Sequence, residues 1–238
     1  MIILHGSRPR FGLPSASPFV TKVEILLKMA GLAYTHVDAN FSRAPKGKIP
    51  FIEEDGKLLA DSTFIRLYLE ERHGARFDGA LMPAEKGIAH AFQTMCEEHL
   101  YWAVVDARWM VRENFEKGPK HFFDSVPAPV RPLVIGMIHR DVKRNLKGQG
   151  LGRHARADIE RLANRDIDAL AAFLGDKPFL MGAEPCGADA SVWAAVASVL
   201  CPFFETPIRT HAERHKNLIA YRDRGMERWF ANLAGGRT

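Results

Sequence analysis

The sequence predicts a two-domain protein, in which a small α/β domain is followed by an all-helical domain. The first part alternates short strand-like and helix-like segments, whereas the pattern is helical almost throughout from Glu85 onward. A stretch that contains glycine and proline, ARFDGALMPAEKG, lies between the two patterns and is typical of a linker. We therefore predict one domain over residues 1–76 and a second over residues 85–238.

The small domain begins with a strand and a helix. MIILH is a short apolar run of the strand type, and in SPFVTKVEILLKMAG apolar residues recur at helical spacing from Val20 to Ala30. Ser17 suits the N-cap of that helix, Pro18 its first position and Gly31 its end.

A second strand, a hairpin and a second helix complete the small domain. AYTHVDA alternates in the manner of a strand, and the apolar runs IPFIEE and KLLAD flank Asp55-Gly56, a strong signal for a hairpin turn. STFIRLYLEERHG then predicts a helix that ends at Gly74. The predicted order is strand, helix, strand, connection, hairpin, helix.

The second domain is predicted as a bundle of long helices over residues 84–115, 127–148 and 153–176. GADASVWAAVASVL is apolar nearly all round, so it predicts a buried central helix. Asp189 is the acidic end of a helix-capping pattern whose other end is Cys186, where serine or threonine is usual.

Composition is that of a globular protein, with 47% hydrophobic and 26% charged residues in 238. The apolar runs are too short for a membrane span, and the N-terminus lacks the order of a signal peptide, so we expect no membrane span and a cytoplasmic location. Cys96, Cys186 and Cys201 are widely spaced and form no CxxC pair. This argues against a disulfide framework, a cysteine zinc site and a dithiol redox centre.

A basic stretch between Arg140 and Arg165 carries much of the net charge of +5. It could bind nucleic acid or anionic lipid, or it could be the solvated face of one or two helices. Aromatic residues do not interleave with the basic ones, which favours the solvated face, so we expect no nucleic acid partner. The embedded GQGLGR lacks the spacing of a nucleotide fingerprint and predicts a turn between helices.

Three segments together resemble the glutathione transferases. They are KIPFIEEDGKLLADSTFIRLYL, PSASPFVTKVEILLKMAGLAY and EEHLYWAVVDARW, and they are most similar to the failed-axon-connections and metaxin-like branch. The resemblance covers nearly the whole chain. It implies the glutathione transferase fold, an α/β thioredoxin-like N-terminal domain plus an all-α C-terminal helical bundle, with glutathione as co-substrate.

The resemblance also implies how glutathione is held. The Ile49–Pro50 peptide bond is expected to be cis, which presents the backbone of Ile49 to the extended ligand as if to an added strand. Ser62 and the N-terminus of its helix are expected to bind the γ-glutamyl carboxylate, and Asp61 the α-amino group. Most relatives have glutamate in place of Asp61. Lys48 is expected to bind the glycyl carboxylate. A solvated loop lysine without a ligand is an equally good interpretation of this residue.

A serine hydroxyl is the expected activator of the glutathione thiol. Ser17 stands at the position where the resemblance places the catalytic serine or cysteine, and no tyrosine occurs among the first twenty residues. Ser15 is a competitor, because the loop that precedes the first helix is longer than usual. Arg8 and Arg10 in this loop are further candidates for ligand carboxylates.

These observations predict a serine-type glutathione S-transferase that attacks a small electrophile. The electrophile is expected between the domains, near Tyr101, Trp102 and Trp109, with Arg108 and Arg112 available for an anionic co-substrate or for ion pairs with neighbouring acids. The family usually dimerises, so a homodimer is expected. The alternative is a non-catalytic binding or adaptor protein that keeps the fold.

Overall fold

The four strands form one mixed sheet in the computed structural model, which describes residues 1–234. The strands lie in the order β2-β1-β3-β4, with β1 parallel to β2 and antiparallel to β3, and β3 antiparallel to β4. Their bounds are β1 Ile2–Gly6, β2 Tyr34–Asp38, β3 Phe51–Glu54 and β4 Lys57–Ala60. The predicted order of strands and hairpin is confirmed.

Two helices pack on this sheet, α1 over Pro18–Met29 and α2 over Ser62–His73. Both begin and end where the capping residues predict. Ser17 is the N-cap of α1, and α2 ends at Gly74, which has a φ of 67° that glycine tolerates. Gly6 allows α1 to lie close to β1, because a Cβ there would stand 2.5 Å from Cγ1 of Val20.

The predicted single helix over residues 84–115 is confirmed as a continuous helical run as far as Trp109 and is wrong beyond it. The segment consists of α3 Pro83–Met95, one π-helical stretch Cys96–Leu100, α4 Tyr101–Trp109 and the short α5 Arg112–Lys117.

A side chain explains where this segment breaks. Val111 is extended and follows the end of the helix, and within the described residues its N–H makes no bond to the carbonyl of Ala107. The buried amide of Asn114 donates to that carbonyl instead, at 3.0 Å, and to the carbonyl of Glu205 at 3.1 Å. Helical periodicity does not reveal such a side-chain substitute for a backbone donor.

The remaining helices are α6 Arg131–Gln149, α7 Arg156–Leu174, α8 Gly187–Val199, α9 Pro207–Ala212 and α10 Lys216–Ala234. Every residue of α8 is buried, as its apolar composition predicts. Its N-terminus is held by Asp189, whose carboxylate accepts the N–H of Cys186 at 2.8 Å, the N–H of Leu180 at 2.8 Å and the hydroxyl of Tyr221 at 2.7 Å. Burial nevertheless raises the pKa of Asp189.

The division of the chain at residues 1–76 and 85–238 stays a prediction, and its last four residues, 235–238, lie outside the described part. Among the described helices, none combines the length and the apolar composition that a bilayer crossing requires.

Candidate functional site

The register of the sheet brings three predicted site segments to one edge. His5 in β1 pairs with Phe51, and Phe51 pairs with Ala60, so β1 and β4 end where β3 begins. The segments that adjoin these three positions are therefore neighbours at the same edge: the loop that leads to Ser17, the Ile49–Pro50 peptide and Asp61-Ser62.

The two candidate serines differ in burial and in hydrogen bonding. Ser15 is 1% exposed, and its Oγ lies 2.5 Å from Oγ of Ser7 and accepts the N–H of Ser17 at 3.1 Å. Ser17 is half-buried, and its Oγ accepts the N–H of Val20 at a long 3.5 Å. Within residues 1–234, the Ser17 hydroxyl donates to no other residue, so its proton is free for a ligand.

The peptide bond between Ile49 and Pro50 is cis. Ile49 lies outside the paired register of the sheet, because β3 begins at Phe51. The carbonyl of Pro50 accepts the N–H of Asp61 at 3.4 Å, which ties this turn to the start of α2. Lys48 is exposed.

Asp61 and Ser62 open α2 with an unusual backbone. Asp61 has a φ of 86°, and its carboxylate accepts the N–H of Thr63 at 3.0 Å as the N-cap of the helix. Lys46, which sequence reasoning missed, places its Nζ 3.7 Å from the same carboxylate. Ser62 is buried, and its hydroxyl makes no hydrogen bond to another residue in the described part of the chain.

The loop before α1 is folded onto the helical part of the chain. Phe11 and Gly12 form its turn with φ values of 60° and 73°, and Arg10 and Leu13 pair across it. The ring of Phe11 contacts the rings of Phe203 and Phe204 at centroid distances of 4.7 and 5.0 Å.

The loop arginines have protein partners. Arg10 donates to the carbonyl of His121 at 3.1 Å, and Arg8 donates to Asp38 at 3.1 Å. These contacts do not support the expectation that the two arginines serve a ligand.

Arg108 of α4 lies beneath the serine loop. It is 7% exposed and donates to the carbonyl of Ser198 at 2.8 Å and to that of Ala16 at 3.4 Å. Its guanidinium also stands 4.7 Å from the ring centre of Phe204. No carboxylate of residues 1–234 forms an ion pair with it. Burial lowers the pKa of Arg108, but an arginine keeps its proton in proteins.

The other predicted pocket residues are spread over α4 and its C-terminal side. Tyr101 lines a small cleft between α1, α4 and α8 together with Phe19, Val104 and Ser198. Burial raises the pKa of Tyr101. The cleft is not lined by Trp102 or Trp109, Arg112 is exposed, and Asp106 pairs with Arg156 at 3.5 Å rather than with Arg108 or Arg112.

A buried polar network joins the two helix starts to the helical part of the chain. Lys22 of α1 is 1% exposed, and its Nζ donates to Glu97 at 2.6 Å and to Thr63 at 3.3 Å. Glu97, in the π-helical stretch, also accepts the hydroxyl of Ser191 at 2.5 Å. Burial lowers the pKa of Lys22, and Glu97 opposes that effect. In sequence Lys22 looks like an ordinary helix lysine, so no signal revealed this role.

Two family models match the chain. The glutathione S-transferase N-terminal domain matches residues 18–114, and the glutathione S-transferase C-terminal domain matches residues 163–225.

Curated relatives agree with these matches. The isoprene-epoxide–glutathione S-transferase of Rhodococcus sp. (strain AD45) is 29% identical over 231 residues, which cover 94% of this chain and 97% of the relative. Failed axon connections of Drosophila melanogaster is 30% identical over 92% of this chain, which spans only 55% of that relative. Metaxin-2 of Homo sapiens is 21% identical over 82% of this chain and 74% of its own length.

A solved structure shows the same fold. The beta-etherase LigF from Sphingobium sp. strain SYK-6 matches with a TM-score of 0.66 over 98% of each chain, at 18% sequence identity. The glutathione transferase fold expected from the motifs is thereby confirmed.

We predict that Lys22→Met lowers the free energy of unfolding by about 3–5 kcal/mol, because it leaves the carboxylate of Glu97 without its buried cation. The double variant Lys22→Met/Glu97→Gln should lose much less than the sum of the two single losses. Urea denaturation of the four proteins measures both effects. Lys46→Met is the matched control, because its exposed pair with Asp61 should cost about 1 kcal/mol at most. Equal losses for Lys22→Met and Lys46→Met would contradict the role of the buried pair.

Proposed function

Because the chain belongs to the glutathione S-transferase family, we propose that it is a transferase in which the hydroxyl of Ser17 activates the thiol of glutathione. Failed axon connections and Metaxin-2 are among its relatives, in agreement with the branch that the motifs predict. The observation that carries the proposal is the position of Ser17: its hydroxyl caps α1 at the sheet edge where Pro50 and Asp61-Ser62 also lie, and its proton has no acceptor in the described chain.

Glutathione would lie along this edge as an extended ligand. The N–H and C=O groups of Ile49 would pair with its backbone, since β3 leaves them outside the ladder. The γ-glutamyl carboxylate would meet the hydroxyl of Ser62 and the N–H groups at the start of α2. Asp61 would hold the α-amino group after releasing Lys46, an exposed pair that is weak. Lys48 is close in sequence to this turn and exposed, and would reach the glycyl carboxylate.

A hydrogen bond from one hydroxyl is strong enough to activate the thiol. A free thiol has a pKa of about 8.5, so only a small fraction is thiolate at neutral pH. A hydrogen bond from a hydroxyl to the thiolate contributes about 1.5–3 kcal/mol, which corresponds to a decrease of about one to two pKa units. The N-terminus of α1 adds a positive dipole end at the same place.

Ser17 suits the task better than Ser15. Ser15 is almost completely buried, and its Oγ is already engaged with Ser7 and with the N–H of Ser17. We therefore propose that Ser15 holds the backbone of Ser17 in place, while Ser17 donates to the sulfur.

Arg108 would add to the effect as a positioning residue. It bonds to the carbonyl of Ala16, directly between the two serines, and its charge has no carboxylate partner in the described chain. A positive charge in a poorly solvated place favours a nearby thiolate over the thiol. Arg108 would thus both hold the loop and stabilise the reactive anion.

A small epoxide is the electrophile that we propose to test first. The support is the Rhodococcus relative, an isoprene-epoxide–glutathione S-transferase, which this chain matches over 97% of that protein's length. In such a reaction the thiolate forms a carbon–sulfur bond, a carbon–oxygen bond of the ring breaks, and the resulting alkoxide takes up a proton. The electrophile would lie beside Phe19 and Tyr101, the partly exposed aromatic residues at the cleft between α1, α4 and α8.

A binding or adaptor protein is the second candidate. The similarity to Failed axon connections and Metaxin-2 favours it, since a fold does not determine activity. Binding of glutathione without a change in the pKa of its thiol would distinguish an adaptor from the enzyme.

Cytoplasmic location is also proposed, on the basis of the three cysteines. Cys96, Cys186 and Cys201 are all buried and unpaired in the structure, as in proteins of reducing compartments.

We predict that the thiol of bound glutathione titrates about one to two pH units below its free value, and that Ser17→Ala returns it close to that value. The measurement is the ultraviolet absorbance of the thiolate during a pH titration of the complex. Ser15→Ala is the matched control and should produce a smaller change. If Ser15→Ala changes the pKa of the bound thiol more than Ser17→Ala does, Ser15 is the activating residue. If the protein increases the amount of thiolate at no pH, the adaptor function is favoured over the transferase.

We predict that Arg108→Gln raises the pKa of the bound thiol by about one unit, whereas Arg108→Lys keeps most of the shift because it keeps the charge. Arg112→Gln is the control, since Arg112 is an exposed arginine at the start of α5. If Arg108→Gln lowers the melting temperature but leaves the thiol titration unchanged, Arg108 has only a structural role.

We predict a homodimer. Phe64 and Leu67 lie one turn apart on α2 and are 53% and 44% exposed, so they form an apolar pair that a second copy would bury. Light scattering after size-exclusion chromatography should give twice the chain mass of 26.7 kDa. Phe64→Glu should shift the protein towards the monomer, whereas a wild-type protein of single chain mass would refute the dimer.

A further inference from the structure

Two histidines and one aspartate converge between α7 and the end of α9, away from the sheet edge. We call Asp168, His211 and His215 the His–Asp cluster. Asp168 belongs to α7, His211 belongs to α9, and His215 follows four residues later. One carboxylate oxygen of Asp168 lies 2.7 Å from Nε2 of His211 and 2.9 Å from Nε2 of His215.

The backbone that carries the cluster is held firmly. Asn217 donates to the carbonyls of Ala171 and Gly175 at 2.8 and 3.0 Å, which fixes the turn after α9 against the end of α7. Ile208 and Ala212 of α9 are buried. These contacts therefore fix the backbone that carries the three side chains of the cluster.

We propose that the His–Asp cluster is a binding site for a divalent transition-metal ion of the Zn²⁺ type. Its three donor atoms lie within 4.8 Å of one another. Two imidazoles and one carboxylate are the donors that zinc and its neighbours prefer, whereas Mg²⁺ and Ca²⁺ prefer oxygen ligands. The proposal does not depend on the transferase reaction, because none of the three residues belongs to the glutathione site.

Two of the three distances between donor atoms are close to those around a bound ion. With bonds of about 2.0–2.2 Å, a tetrahedral ion keeps its ligand atoms about 3.3 Å apart. The two Nε2–carboxylate distances would thus have to increase by only about half an ångström. The rings of His211 and His215 lie 5.5 Å apart at 65°, so both can direct Nε2 to the same point beside Asp168.

Metal binding would replace the present hydrogen bonds rather than break unrelated contacts. Each Nε2 that donates to Asp168 would carry its proton on Nδ1 instead, and the freed lone pair would bind the ion. The side chains of His211, His215 and Asp168 are 21%, 28% and 52% exposed. Water can therefore reach the ion and complete its coordination.

A bound ion would fasten α9 to α7. Arg209 of α9 donates to the carbonyls of Pro202 and Phe204, so this helix also supports the segment against which Arg108 packs. A bound ion would thus stiffen this end of the helical bundle.

The test is calorimetric titration of the metal-free full chain with ZnCl₂, with MgCl₂ as a comparison. We expect saturable binding of one Zn²⁺ per chain and none of Mg²⁺, together with a rise in melting temperature on addition of Zn²⁺. His211→Gln and Asp168→Asn should each abolish both effects. His90→Gln is the matched control, because His90 is an exposed histidine on α3 outside the cluster.

Two results would overturn the proposal. The first is a wild-type protein without saturable Zn²⁺ binding, in which case the cluster is only a hydrogen-bonded contact between two helices. The second is binding that persists in His211→Gln, which would place the ion elsewhere. If either variant unfolds, as judged by circular dichroism, His215→Gln takes its place. The visible absorption bands of bound Co²⁺ measure the coordination geometry of the wild-type site independently of calorimetry.

Discussion

The buried ion pair between Lys22 and Glu97 is the contact on which the arrangement of the site depends. Lys22 stands just after the start of α1, and the same ammonium group reaches Thr63 at the start of α2. Glu97 comes from the π-helical stretch and is held in turn by Ser191 of α8. Buried charges tolerate little displacement from their partners, so this one network sets the distance between two helix N-termini and the helical bundle. The π-helical stretch places Glu97 there, in keeping with the frequent occurrence of such stretches at functional sites.

Much of the small domain could be predicted because its signals are local. Asp55-Gly56 marks the hairpin, Ser17 and Gly74 mark helix ends, and the apolar composition of α8 predicts its burial. The break after Trp109 and the π-helical stretch could not be predicted in the same way. Asn114 at the break bonds to Glu205, and Glu97 in the π-helical stretch bonds to Lys22 and Ser191. These partners are distant in sequence, and hydrophobic periodicity carries no information about such contacts.

The residues of the candidate site also divide into those that local motifs predict and those that depend on distant contacts. Short motifs predict Ser17, Pro50 and Ser62 as site residues, and the strand register explains why they lie close together. Lys22, Lys46 and Arg108 acquire their roles only through neighbours that the fold supplies. Arg108 is the clearest case: in sequence it is one of several arginines, whereas in the structure it is a buried cation that bonds to two backbone carbonyls. Burial and the choice of partner are three-dimensional properties, which composition and spacing do not determine.

The loop that carries the two serines packs through Phe11 against Phe203 and Phe204, residues of the helical bundle. Substitutions at Phe203 or Phe204 are therefore expected to move the loop that carries the proposed activating serine. Under the proposed function, evolutionary changes in this part of the bundle would alter the reactivity of the bound thiol in the same step.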